Sequence, residues 1–206
     1  MTSSIDEVIR GYASAASPEL IGRYEAIAAE EVLAPVIDLL PTEPACIADI
    51  GAGTGRDAAW LARRGHRLVA IEPAGPLREA GRAMHAALPI RWVDDRLPHL
   101  AQLASEESAF DLILLVGVWQ HLDEMERRRA VRRLAGLAAP GGRLILSFRH
   151  GPGGEGRPVH PGDPRVTIAA AHVAGFSLIR RRCAEAVQEA NRAAGVSWTW
   201  LAFERR

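Results

Sequence analysis

The sequence predicts a three-layer α/β domain built on a doubly wound, mostly parallel sheet of seven strands, and three observations carry that expectation. Short apolar runs alternate with helical segments along most of the chain, the pattern of parallel strands joined by crossover helices. A glycine-rich turn, DIGAGTGRD, joins the first of those runs to the next helix. Of 206 residues 48% are hydrophobic and 24% charged, enough apolar side chain for one continuous core and far from the composition of a disordered chain. Residues 1–206 are therefore read as a single domain, with 1–40 a helical cap on a core formed by 41–206.

In chain order, residues 4–40 are rich in alanine and read as two or three helices, with Pro18 suited to a first helical turn and Pro35 to a kink or restart. Pro41 and Pro44 close this region, and CIADI is a short buried strand leading into the glycine turn. The helix DAAWLARRG stops at Gly65, RLVAIE is the second strand, PLREAGRAMHAAL a helix, IRWV a short strand and RLPHLAQLA a helical turn. FDLILLVGV is apolar almost throughout, as a central strand covered on both faces must be. In EMERRRAVRRLAGLA, Met125, Val131, Leu134 and Ala138 are read as one buried helix face, ended by Pro140, Gly141 and Gly142 before the strand RLILSFR. A long Gly/Pro-rich loop, GPGGEGRPVHPGDP, precedes the helix RVTIAAAHVAG and two further strands, FSLIRRRC and VSWTWLAFERR, the last read with period-two alternation. Right-handed crossovers then place a ligand beyond the carboxyl ends of the strands, where the strand order reverses.

Composition excludes several classes of function. A formal net charge of zero gives no field to draw the chain onto nucleic acid or an anionic membrane, and the arginine runs at 127–133 and 180–182 read as solvated faces. Two cysteines, Cys46 and Cys183, build neither a disulfide framework nor a thiolate zinc site, so no metal is expected. All 25 basic residues are arginine; without lysine there is no phosphate-loop amine and no Schiff base. No stretch reaches the roughly 18 apolar residues of a membrane span, the opening segment is acidic rather than leader-like, and a cytoplasmic protein is expected.

The turn itself, Asp49-Ile50-Gly51-Ala52-Gly53-Thr54-Gly55-Arg56-Asp57, fails the dinucleotide fingerprint, because Arg56 occupies its sixth position. What remains is acid-x-Gly-x-Gly-x-Gly between a strand and a helix. This spacing resembles motif I of the class I S-adenosylmethionine-dependent methyltransferases, and the resemblance extends over nearly the whole chain. It implies a Rossmann-like methyltransferase fold with an antiparallel last strand, S-adenosylmethionine as cofactor, and Asp49, Gly51, Ala52, Gly53, Gly55, Arg56 and Asp57 around it. Glu72, with Pro73, ends the second strand about 20 residues on, where a carboxylate accepts ribose hydroxyls. By the same resemblance, Asp94, Asp95, Arg96 and Leu97 lie beside the adenine, with either aspartate the acid that meets its amino group. Val116, Gly117 and Val118 border the methionine part of the cofactor, with His121 close by.

Methyl transfer is an in-line displacement that depends chiefly on positioning in a dry site, and a base is needed only where the acceptor must lose a proton. His121 and His150 are the candidate bases, with helix capping or packing the competing account of His121. Arg149 is read either as a carboxylate or phosphate anchor or as an exposed loop residue. Tyr12, Arg23 and Tyr24 on the cap, and Trp119 at the pocket rim, are the remaining candidates for contact with the acceptor; the other tryptophans are read as packing. Asn191 is the single asparagine, so the Asn-Pro-Pro-aromatic motif of nucleic-acid amino methylation is absent, and a small-molecule acceptor is expected with a monomer or homodimer as the assembly. A non-catalytic S-adenosylmethionine-binding scaffold and an NAD(P)-dependent oxidoreductase are the rival readings.

Overall fold

The structure, a computed structural model, describes residues 4–106 and 109–206. Three helices come first: α1 (Ser4–Ala15), α2 (Pro18–Glu25) and α3 (Ala29–Leu33). Pro18 occupies the first turn of α2, where its missing N–H costs nothing, and the Ser17 hydroxyl accepts the Leu20 N–H at 3.3 Å. Strand and helix then alternate through β1 (Cys46–Ile50), α4 (Arg56–Arg63), β2 (Arg67–Ile71), α5 (Gly75–Met84), β3 (Ile90–Val93), β4 (Phe110–Leu115), α6 (Glu124–Leu137), β5 (Ala138–His150), α7 (Pro164–Val173), β6 (Phe176–Glu185), α8 (Glu189–Ala193) and β7 (Ser197–Arg205).

One seven-stranded sheet results, in the order β3-β2-β1-β4-β5-β7-β6. Strands β1 to β5 are parallel, and β7 runs antiparallel to both β5 and β6. The order reverses between β1 and β4, as expected, so the turns leaving those two strands diverge and open a crevice at their carboxyl ends. Strand β4 sits fourth of the seven. Its Ile113 and Leu115 enter the core shared with α6 and α7, while Leu112 and Leu114 enter the core shared with α3 and α4. All four are fully buried, each contributing roughly 1.5–3 kcal/mol, so one polar substitution here would break the joint between the two cores.

Three expectations are corrected. Met125 is 61% exposed, because nine residues at 100° per residue put it opposite Leu134; α6 instead buries Ala130, Val131, Leu134 and Leu137. Strand β7 does not alternate: it is an interior strand, and Trp200 and Ala202 enter one core while Leu201 and Phe203 enter the other. Pro140 to Gly142 do not separate helix from strand. Helix α6 ends at Leu137, and these residues form a bulge in β5, where a Cβ on Gly142 would lie 2.7 Å from the Phe110 carbonyl oxygen. Among the described residues no helix is long and apolar enough to cross a membrane.

Candidate functional site

The parallel register of β1 and β2 pairs Ile50 with Ile71, which brings the turn after β1 directly over the end of β2. Gly51 N–H and Ala52 N–H both donate to the Ile71 carbonyl, at 2.7 and 3.0 Å. The chain then needs left-handed torsions, supplied by Gly51 (φ 72°), Gly53 (φ 58°) and Gly55 (φ 82°). Their surroundings differ. A Cβ on Gly51 would overlap the Val118 methyl, and one on Gly55 would lie 2.5 Å from the Trp92 ring, whereas one on Gly53 would meet nothing within 4 Å. Gly53 therefore presents bare backbone to open space in the crevice.

Glu72 closes this arrangement. Its carboxylate accepts the Gly53 N–H at 2.8 Å and the Ala74 N–H at 2.7 Å, so the acid after β2 and the glycine turn after β1 share one wall. Burial pushes its pKa up, against the lowering effect of those two N–H groups. Asp49, at the end of β1, is 2% exposed and its Oδ2 has no hydrogen-bond partner. Burial, and then the neighbouring charge of Asp57, hold the Asp49 carboxyl well above the usual range. The cations beside these three acids are already engaged: Arg56 is held bidentately by Asp57 at 2.8 and 2.9 Å, and Arg78 donates to the Glu72 main-chain carbonyl at 2.6 Å while pairing with Asp94. Carboxylates thus outnumber cations here, and an open carboxylate oxygen awaits a positively charged or hydrogen-bond-donating ligand. Helix α2 fastens onto the same turn, the Thr54 hydroxyl donating to Glu25 at 2.6 Å.

The cleft has a volume of about 1030 Å³, at the top of the roughly 300–1000 Å³ range of small-molecule sites. Asp49, Gly51, Ala52, Gly53, Arg56, Asp57, Glu72, Pro73, Asp95, Arg96, Leu97, Val116, Gly117, Val118, His121, Tyr12, Arg23, Tyr24 and Arg149 all line it. Of the two aspartates after β3, Asp95 faces the cleft, its carboxylate accepting the Arg96 and Gln102 N–H groups at 2.8 and 2.7 Å. Asp94 points outward and pairs with Arg78 at 2.9 Å.

At the far end, His121 sits in the turn after β4. Its Nδ1 lies 2.8 Å from the Pro158 carbonyl oxygen, which only accepts, so Nδ1 carries the proton and Nε2 is the basic nitrogen. The Tyr12 hydroxyl of α1 donates to that Nε2 at 3.0 Å. Burial holds the His121 pKa down, so the imidazole is neutral near neutral pH, while burial raises the Tyr12 phenol.

Four expected residues lie elsewhere. Trp119 is fully buried rather than at the rim: its Nε1 donates to the Thr167 hydroxyl at 3.0 Å, which fixes the indole inside the α6–α7 core. His150 faces away from the cleft, stacked on Phe148 with its Nε2 2.8 Å from the Thr199 hydroxyl of β7, and so is no base for an acceptor. Asp94 and Gly55 do not line the cleft: Asp94 pairs with Arg78 on the exposed side, and a Cβ on Gly55 would meet the Trp92 ring. Conversely, Arg157, Gln120 and Asn191 line the cleft without being among the expected site residues, and Trp198, read as packing, lines it too. Trp198 carries a weak signal, two residues before Trp200 at the head of a strand; Arg157 in its Gly/Pro loop carries only its charge.

A family model described as a methyltransferase domain matches residues 48–146, the span from β1 to β5. A protein-L-isoaspartate O-methyltransferase of Methylorubrum populi is 33% identical over 145 residues, 68% of this chain and 68% of that one. An uncharacterized methyltransferase of Mycobacterium tuberculosis is 32% identical over 110 residues, 52% of each chain, so the chain spans about half the length of the first curated relatives it matches. Among solved structures, the 1,6-didemethyltoxoflavin-N1-methyltransferase of Burkholderia thailandensis, bound to its substrate and S-adenosylhomocysteine, superposes with a TM-score of 0.66 at 22% identity, covering 88% of this chain and 77% of that one. That last likeness is one of fold.

Proposed function

The chain belongs to the class I S-adenosylmethionine-dependent methyltransferases, and from that premise we propose that it transfers the sulfonium methyl group of S-adenosylmethionine to an oxygen or nitrogen of a small acceptor. The observation that carries this reading is the shared wall of Gly53 and Glu72 beneath the open oxygen of Asp49. The residues fit the cofactor. Glu72 would accept from the ribose hydroxyls, Asp49 and the Gly53 backbone would receive the cationic amino-acid end, and Asp95 to Leu97, which line the same cleft, would border the base. Bound there, the cofactor supplies an electrophilic methyl group on a cationic sulfur.

The protein's own contribution is positioning and exclusion of water. Residues of the cap helices line the crevice on one side and Val116 to Val118 on another, so an acceptor docked between them is shielded from water. Where the acceptor loses a proton, His121 takes it at Nε2, the acceptor group displacing the Tyr12 hydroxyl at 3.0 Å and the Gln120 amide at 3.2 Å that now share that nitrogen. Pro158 keeps the imidazole in the tautomer that makes this possible.

S-adenosylhomocysteine at 100 times its Kd should stabilise the fold by about 2.7 kcal/mol, which raises Tm by roughly 5–10 °C for a chain of this size. Asp49→Ala and Glu72→Ala should each abolish the shift. An unchanged shift in both variants refutes the site, and a shift with NAD or NADP but none with S-adenosylhomocysteine makes the chain an oxidoreductase.

A further inference from the structure

Among the described residues, two guanidinium groups at the acceptor end of the cleft form no ion pair with a carboxylate. Arg149 leaves the end of β5; it donates to the Pro152 carbonyl at 3.0 and 2.8 Å, reaches Asn191 Oδ1 at 3.4 Å, and lies 5.6 Å from the Trp198 ring centroid. Arg157 comes from the Gly/Pro loop between β5 and α7; it lies 5.2 Å from the Tyr12 ring centroid, with Nη1 3.5 Å from the Tyr24 hydroxyl. Its Nε is buried and has no hydrogen-bond partner. Among the described residues neither arginine forms a salt bridge, although Arg56, Arg78, Arg91, Arg96, Arg128 and Arg180 all do. Both groups line the same cleft as Tyr12 and His121, and both act electrostatically on each.

A like-charged pair facing an aromatic and aliphatic cavity is costly unless an anion completes it. Of the carboxylates that line the cleft, Asp49, Asp57 and Glu72 are gathered at the glycine turn, where Arg56 already answers one of them, and Asp95, Glu31, Glu185 and Glu189 line it elsewhere without pairing with Arg149 or Arg157. Acids thus cluster at the glycine turn, while two guanidiniums without an ion pair among the described residues stand beside the Tyr12–His121 pair. Planar guanidinium forks bind carboxylates by paired N–H bonds, and Tyr12, Tyr24, Trp198 and Val159 offer faces for an apolar body.

We infer that the methyl acceptor is an organic acid, an apolar or aromatic body carrying a carboxylate, whose acid group is held by Arg149 and Arg157 while its nucleophilic atom faces His121. This rests on the methyltransferase reading and narrows its acceptor. Arg157 is on this view a specificity-determining residue, and the loop that carries it is part of the acceptor site.

The test uses the full chain saturated with S-adenosylhomocysteine and titrated calorimetrically with benzoate and, as its neutral counterpart, benzamide. Benzoate should bind at least about tenfold tighter than benzamide, and Arg157→Gln and Arg149→Gln should each erase that preference, consistent with the strength of a charge-assisted pair. Affinity for S-adenosylhomocysteine should change less than about threefold in both variants, and Arg157→Lys should keep part of the preference. Equal binding of benzoate and benzamide, no binding of benzoate to a protein that does bind S-adenosylhomocysteine, or loss of S-adenosylhomocysteine rather than benzoate in the Gln variants overturns the inference. A protein that fails to bind S-adenosylhomocysteine at all overturns instead the cofactor reading on which it rests.

Discussion

Two glycines inside cap helices should respond oppositely to the same substitution. Gly11 lies within α1 and Gly22 within α2, and alanine at either position gains about 1 kcal/mol of helix propensity. At Gly22 a Cβ meets nothing within 4 Å, so Gly22→Ala should keep the whole gain and raise Tm by roughly 2–4 °C. At Gly11 the Cβ would overlap the carbonyl oxygen of Gly156 and lie 2.8 Å from its carbon, and a backbone atom cannot swing aside as a side-chain tip does. Overpacking of that kind costs about 1–3 kcal/mol, so Gly11→Ala should come out neutral to about 2 kcal/mol less stable. The loop must also move, and it carries Arg157 and the Pro158 carbonyl that holds His121. Urea unfolding of the two variants beside the native chain measures the difference directly, and the slope m confirms that the same two states are compared. If Gly11→Ala stabilises as much as Gly22→Ala, the contact of α1 with the 151–163 loop is not as described, and the acceptor site built on it fails as well.

Trp119→Phe should lower stability by about 1–3 kcal/mol, through the lost bond to Thr167 and the smaller ring, while leaving S-adenosylhomocysteine affinity within about twofold. A selective loss of ligand binding at unchanged Tm would return this residue to the pocket rim. The pH dependence carries a sign set by Asp49 and Glu72, whose carboxyls are raised in the fold by burial. A raised acid binds its proton more tightly folded than unfolded, so its contribution to stability is full below the unfolded pKa of about 4 and is lost as pH rises through the folded value. The buried neutral His121 acts the other way, its contribution being present above about 6.5 and lost as pH falls below it. The Asp49 effect is therefore read as native minus Asp49→Asn: that difference should fall with rising pH above about 4, and a flat difference would show that Asp49 is ionised in the free protein. A cation arriving at Asp49 favours its ionised form, so S-adenosylmethionine binding should release protons, visible as a calorimetric heat that varies with the ionisation enthalpy of the buffer.

The cofactor end of the cleft was legible in the sequence because local backbone geometry builds it. Gly51, Gly53 and Glu72 follow from a strand, a turn that requires positive φ, and a second strand whose parallel register places its last residue over that turn. The acceptor end was not, because its pieces meet through contacts that no period of 2 or 3.6 encodes. Trp119 and His150 were misplaced for one reason: their polar partners, Thr167 and Thr199, come from α7 and β7, and nothing near Trp119 or His150 in the chain announces them. The alternation expected of β7 failed likewise, since only the insertion of that strand between β5 and β6 makes it an interior one. Arg157 could be seen as a charge in a loop, but its place follows from Gly11 and Gly156, two positions where the absence of a side chain lets helix and loop touch.

The two ends of the cleft consequently depend on different parts of the fold. The cofactor wall is complete once β1 and β2 are paired, with Gly53 and Glu72 joined by a bond that involves neither the cap nor the 151–163 loop. The acceptor end needs three segments at once: the turn after β4 supplies His121, the loop supplies the carbonyl on its Nδ1, and α1 supplies the hydroxyl on its Nε2. One imidazole is thus the meeting point of cap, loop and sheet. Lifting the carboxyl-terminal half of α1 away removes Tyr12 from Nε2 and Gly11 from Gly156 while leaving the Gly53–Glu72 bond untouched. The acceptor site should accordingly lose order before the cofactor site does, and amide exchange should show it, with protection of the Gly53 N–H outlasting protection in the 151–163 loop.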